Sequence, residues 1–171
     1  MPVIQISTIL VLLAIFKQDM RSRAVYWYWF PILTILFLVQ GIKQKPFPEI
    51  LATSAMNIGF VLLQLLLISV YFSIKNKRAV NITHSLLGWG DILFLLCIAT
   101  YLSTINYILF YILSLVIVII MTGIYLLFHK KAEQIPLAGL QAMIFIVCLI
   151  LDWLSPRIDL IHDDWLTPYL L

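Results

Sequence analysis

Residues 92–128 carry no Asp, Glu, Lys, Arg or His. As one α-helix, the stretch 91–128 would be about 57 Å long at 1.5 Å per residue. A bilayer's hydrocarbon core is only about 30 Å thick. The polar cluster Ser103-Thr104-Ile105-Asn106 therefore divides the stretch into two crossings. The rest of the chain obeys the same constraint. Of its 171 residues, 63% are apolar and 11% charged, against about 45–50% and about 25% in soluble domains. Too little polar surface remains to coat a water-soluble globule, so the solvent is a lipid bilayer. The expectation is one all-α, polytopic membrane domain over residues 1–171.

Apolar runs of spanning length give six expected crossings, at about 3–16, 26–42, 48–74, 89–102, 107–128 and 136–154. The first lacks a basic leading region and a small-x-small cleavage site, so it is read as a retained span rather than a signal peptide. Tyr26-Trp27-Tyr28-Trp29-Phe30 reads as an interfacial aromatic belt, and Tyr101, Tyr107 and Tyr111 as interface anchors. Asn57, Gly59 and Gln64 lie within the third run and are expected to face other helices. Pro136 suits the start of the last helix. Cys97 and Cys148 lie in apolar runs without a metal-ligand spacing and read as small buried hydrophobes.

Alternating loops place Lys17, Arg21, Arg23, Lys75, Lys77, Arg78, Lys130 and Lys131 on one side, and Lys43, Lys45 and Arg157 on the other. The positive-inside rule makes the first side cytoplasmic, with both termini outside. The net charge of +3 thus follows topology and does not call for nucleic acid.

Two acids then stand out. Asp91 closes Gly88-Trp89-Gly90-Asp91 at the head of the fourth span, where a charged group costs roughly 3 kcal/mol to insert. Asp19 follows the first span. The orientation puts both at the same membrane depth on the cytoplasmic side. Two close carboxylates cannot both ionise cheaply, so such a pair shares a proton. The ionised member can take a proton from water while the protonated one donates to a scissile carbonyl oxygen. Gly88 and Gly90 would let a substrate backbone approach Asp91 and permit unusual backbone angles. The same residues admit a plainer reading. Asp91 would cap its own helix, and Asp19 would be a solvated loop acid.

Three ordered segments bear on that choice. They are Asp19-Met20-Arg21-Ser22-Arg23-Ala24-Val25-Tyr26, Gly88-Trp89-Gly90-Asp91, and Lys130-Lys131-Ala132-Glu133-Gln134-Ile135-Pro136-Leu137-Ala138-Gly139. Together they resemble the type IV prepilin peptidases and archaeal preflagellin peptidases, the GxGD aspartic proteases of the membrane. The resemblance covers essentially the whole chain. It implies a GxGD-type bundle with Asp19 and Asp91 as catalytic residues. The substrate implied is a pilin-like precursor, cut between a short basic leader and its hydrophobic helix on the cytoplasmic face. No cofactor or metal is implied. Tyr26 departs from the family, which usually has proline there, and the chain lacks the cysteine-rich region linked to N-methylation. Peptidase activity alone is therefore expected.

Gln134 and Pro136, with Gln141, are candidates for a substrate groove. His84 reads as a solvated loop histidine, and Asp159, His162, Asp163 and Asp164 as an exposed acidic tail. Two other functions fit the composition: a non-catalytic scaffold of a pilus or secretion assembly, and a small proton-coupled transporter.

Overall fold

The computed structural model describes residues 2–77, 88–128, 136–155 and 158–166. Among them are six helices and no strand: α1 (Pro2–Ser22), α2 (Trp29–Gly41), α3 (Phe47–Asn76), α4 (Trp89–Ile98), α5 (Thr104–Phe128) and α6 (Leu137–Leu154). α1, α3, α5 and α6 are long and apolar enough to cross a membrane, which makes this a multi-pass membrane protein by length and composition. α2 and α4 have 13 and 10 residues, about 20 and 15 Å.

Proline marks most of the starts. Pro2 opens α1, Pro31 sits in the first turn of α2, Pro48 in that of α3, and Pro136 is the N-cap of α6. Early in a helix the missing N–H costs nothing, and the fixed φ already suits the helix. α1 stops where Arg23 takes a left-handed φ of 51° while its N–H still donates to Asp19 O at 2.9 Å. Lys77 ends α3 with the same φ. Such a residue satisfies the last carbonyls and turns the chain away.

Packing is organised by α6, which lies along α1 and also touches α4 and α5. Phe145 of α6 is fully buried and meets Phe37 of α2, Phe110 of α5 and Tyr101 at centroid distances of 5.6, 5.1 and 6.4 Å, all edge-on. Edge-on aromatic pairs contribute about 0.5–1.5 kcal/mol each beyond the area they bury. Leu12, Ile15, Leu33, Phe94, Ile98 and Leu149 complete this core.

Several boundaries differ from expectation. α1 continues six residues past Phe16, because Lys17 and Arg21 point outward while Asp19 falls on the buried stripe of Leu12 and Ile15. α2 starts at Trp29, since Tyr26, Trp27 and Tyr28 are taken up by turns in which Trp29 N–H donates to Tyr26 O and Phe30 N–H to Trp27 O. The fourth helix ends at Ile98, not 102. The break lies at 99–103, and Thr104-Ile105-Asn106 already belongs to α5, with Tyr107 N–H donating to the carbonyl of the preceding Ser103 at 2.9 Å. Tyr101 and Tyr107, expected as interface anchors, are 4% and 0% exposed. The acidic tail is not free in solvent either. Leu160 and Ile161 are buried, the Asp159 and His162 carbonyls accept from Asn106 of α5, Asp163 accepts from Ser103 just ahead of α5, and Leu160 N–H donates to Asp152 of α6.

Candidate active site

Asp19 lies three residues from the end of α1, on the stripe that packs along α6, and is 6% exposed. It is therefore neither past the helix nor solvated. Asp91 is the third residue of α4, one turn in from Gly88. The two acids come from helices that share α2 and α6 as packing partners. Both point at the first turn of α6.

A helix leaves its first four N–H groups without intrahelical partners. α6 cannot satisfy them locally, because its N-cap is Pro136 and makes no side-chain cap. The two acids take that place. Asp91 Oδ1 accepts from Ala138 N–H at 2.7 Å, and Asp19 Oδ2 accepts from Gly139 N–H at 2.6 Å. These are short bonds at the positive end of a helix dipole. The second oxygen of Asp91 accepts from Gly88 N–H at 3.0 Å. Asp91 thus caps its own helix, as the plainer reading expects, and also reaches Asp19's neighbour. The two carboxyl groups sit on adjacent peptide groups of α6.

Glycine has a steric role at two of these positions. A Cβ on Gly139 would lie 3.0 Å from Asp19 Cβ, 3.1 Å from Asp19 Oδ2 and 3.3 Å from the Phe16 carbonyl oxygen. On Gly88 it would lie 3.1 Å from Asp91 Oδ2. Gly90 instead lies against Val25 and Phe30, at 3.8–4.0 Å from its Cβ position. No glycine among the described residues has a positive φ, so in this conformation Gly88 and Gly90 serve close packing rather than unusual angles. The turn after Asp19 is pinned by Tyr26 N–H donating to Gln18 Oε1 at 3.2 Å. A proline at 26 would lack that donor.

Pro136 stands at the site as the N-cap. Gln134, His84, Lys130 and Lys131 lie outside the described residues. Gln141 is fully buried and donates to Ser114 Oγ at 3.1 Å, joining α6 to α5. A groove of about 440 Å3, lined by Leu13, Phe16, Lys17, Met20 and Arg21, runs along the other face of α1 and includes neither acid. Among the described residues no group of three or more His, Cys, Asp or Glu is placed to hold a metal ion.

The residues missed at the sequence level are Ala138 and Gly139. Their contribution is backbone N–H and the lack of bulk, which side-chain chemistry does not advertise. The available signal was a small-residue pair two residues after a proline at a helix start. No family model matches the chain, and no curated protein or solved structure matches it.

Proposed function

We propose that this chain is a membrane aspartic endopeptidase that removes the leader peptide from pilin-like precursors, with Asp19 and Asp91 as its catalytic residues. The observation that carries this reading is the seating of both carboxylates, from distant segments, on the adjacent Ala138 and Gly139 amides. The bundle would be of the GxGD type and cross the cell membrane six times. α2 and α4 complete their crossings through the turns at 42–45 and 99–102. The acids then lie at the cytoplasmic face, beside Lys17, Arg21 and Arg23, with both termini outside.

In this mechanism one acid is ionised and the other protonated. The ionised acid takes a proton from a water as the water oxygen bonds to the scissile carbonyl carbon. The protonated acid gives its proton to the carbonyl oxygen, and collapse breaks the C–N bond as the leaving nitrogen is protonated. The residues invoked need no covalent intermediate. The α6 amides fix which oxygens face the substrate.

The same two bonds favour a second reading, a non-catalytic scaffold in which the acids only cap α6. Asparagine separates the two, because its Oδ1 still accepts from the α6 amide while its side chain cannot exchange a proton; at position 91 only the Gly88 N–H loses its acceptor. The test is leader cleavage in liposomes with pilin-like precursors from the same genome. Asp19→Asn and Asp91→Asn are each expected to lower the rate by about 10²–10⁴-fold with folding retained. Undiminished cleavage by both variants overturns the Asp19–Asp91 assignment, and none by the parent across several precursors moves it to the scaffold. Uptake driven by a pH gradient and dependent on Asp91 would instead make the chain a transporter.

A further inference from the structure

α4 has ten residues, and Asp91 is at one end. The other end is held by several bonds from outside the helix. The last carbonyls of a helix lack partners, and in an apolar interior each must find one. Leu95 O accepts from Ala99 N–H and from Tyr107 Oη at 3.1 Å. Cys97 O accepts from Thr100 N–H and Oγ1, and Ile98 O from Tyr101 and Leu102 N–H. Ala99 O and Leu102 O both accept from Asn57 Nδ2, at 3.1 and 2.9 Å.

The next residues are gripped by segment 158–166. Ser103 N–H donates to Leu160 O at 3.1 Å, and the Ser103 hydroxyl donates to Asp163 Oδ1. Asn106 is 3% exposed and directs Nδ2 to three carbonyls of this segment, Asp159, Leu160 and His162, at 2.9, 3.2 and 3.0 Å. Leu160 N–H donates in turn to Asp152 Oδ1 of α6 at 2.8 Å. One short segment therefore buckles the far end of α4, through 103–106, to the far end of α6. α6 carries Ala138 and Gly139 at its other end, and α4 carries Asp91.

We propose that residues 158–166 form a clasp that positions Asp91 against Asp19. Ala99 lies about 12 Å along the helix from Asp91, and a close-packed short helix shifts as a unit. With the far ends of α4 and α6 clasped, Asp91 meets the Ala138 amide in register. With the clasp released, α4 slides against α6 and Asp91 leaves its seat. Asn106 and Ser103 are thus positioning residues, acting through α4. The inference rests on Asp91 being half of a working pair.

The experiment reads position and cleavage separately. Nitroxide labels at Met20→Cys and Trp89→Cys, both exposed and beside the two acids, report the α1–α4 distance by pulsed EPR in liposomes. Cys97 and Cys148 are replaced by serine in that background. A control pair at Leu10→Cys and Ile35→Cys, also exposed, spans α1 and α2. In Asn106→Ala, hydrogen exchange at the amides of 160–162 is expected to rise. The Met20–Trp89 distribution is expected to shift or broaden by about 1–2 Å, with the control pair unmoved. Ser103→Ala, which removes a single hydroxyl, is expected to do the same to a smaller extent, and Ser103→Thr to restore the parent distribution. Faster exchange with an unchanged Met20–Trp89 distance overturns the clasp, as does equal movement of both pairs. If Asn106→Ala does not fold, the Ser103 pair decides. Should the parent cleave a precursor, kcat falls several-fold in Asn106→Ala at constant KM. Should it cleave none, the distance result still stands or falls by itself.

Discussion

Asp19 and Asp91 are joined through the peptide backbone of a third helix. Gly139 N–H meets the first at 2.6 Å and Ala138 N–H meets the second at 2.7 Å. Two acids that lie in α1 and α4 are thus indexed to consecutive peptide groups of α6. Their relative position is set by the helix geometry of that one turn rather than by long flexible side chains. The positive end of the α6 dipole also offsets part of the cost of holding two carboxyl groups in an apolar bundle.

Gly139→Ala is the most direct disturbance of this arrangement. Its added methyl meets Asp19 and the Phe16 carbonyl oxygen at 3.0–3.3 Å, and a backbone oxygen cannot swing aside. The expected outcome is overpacking of about 1–3 kcal/mol, together with loss of precursor cleavage. Gly123→Ala is the control, because a Cβ there meets nothing within 4 Å. It should leave cleavage unchanged. Thermal unfolding in detergent, alongside the cleavage assay, checks both.

Asn57→Ala tests the capping of α4. Loss of the side chain leaves the Ala99 and Leu102 carbonyls without their donor in a site that is 0% exposed. Stranding a buried acceptor costs about 1–3 kcal/mol. Thr8→Val is the contrast. It removes an interhelical bond, the one from Gln40 Nε2 at 2.9 Å, but Gln40 also donates to Leu36 O. The expected loss there is closer to the membrane average of about 0.6 kcal/mol. Unfolding titrations in mixed micelles should rank Asn57→Ala well above Thr8→Val.

The helical class, the apolar runs and the two acids were legible because each is written in side-chain type and period. Asp19 was harder to place. Its neighbours Lys17, Gln18 and Arg21 look like a loop, yet the spacing from Leu12 and Ile15 to Asp19 keeps one face buried through the charges. The clasp was not legible at all. Asp159, His162, Asp163 and Asp164 have the composition of a solvated tail, and the backbone carbonyls that accept from Asn106 carry no sequence identity. Asn106 itself gave the only hint, a strong donor placed at the start of an apolar helix.

Acid is expected to loosen the clasp. Burial alone would raise the Asp159 carboxyl. The N–H groups of His162 and Ile161 and the His162 ring outweigh it and hold Asp159 below its ordinary value of 3.8. A carboxyl lowered in the folded state contributes stability above its unfolded pKa and loses it as pH falls through the folded value. Exchange of the 161 and 162 amides, which donate to Asp159, should therefore be insensitive to this group near neutrality, after correction for intrinsic rates. It should accelerate only on acidification below about pH 4. In Asp159→Asn that acid step should be absent.

α3 has 30 residues and α4 ten, yet Asn57 ties them side by side. Their lengths are about 45 and 15 Å, on either side of the roughly 30 Å that lipid tails prefer. Tilt fits α3 to such a bilayer, whereas the side on which α4 would cross, as proposed, favours a locally thinner one. Thinning brings headgroups and water nearest to the flank that carries Asp91, where hydrolysis would need a water molecule.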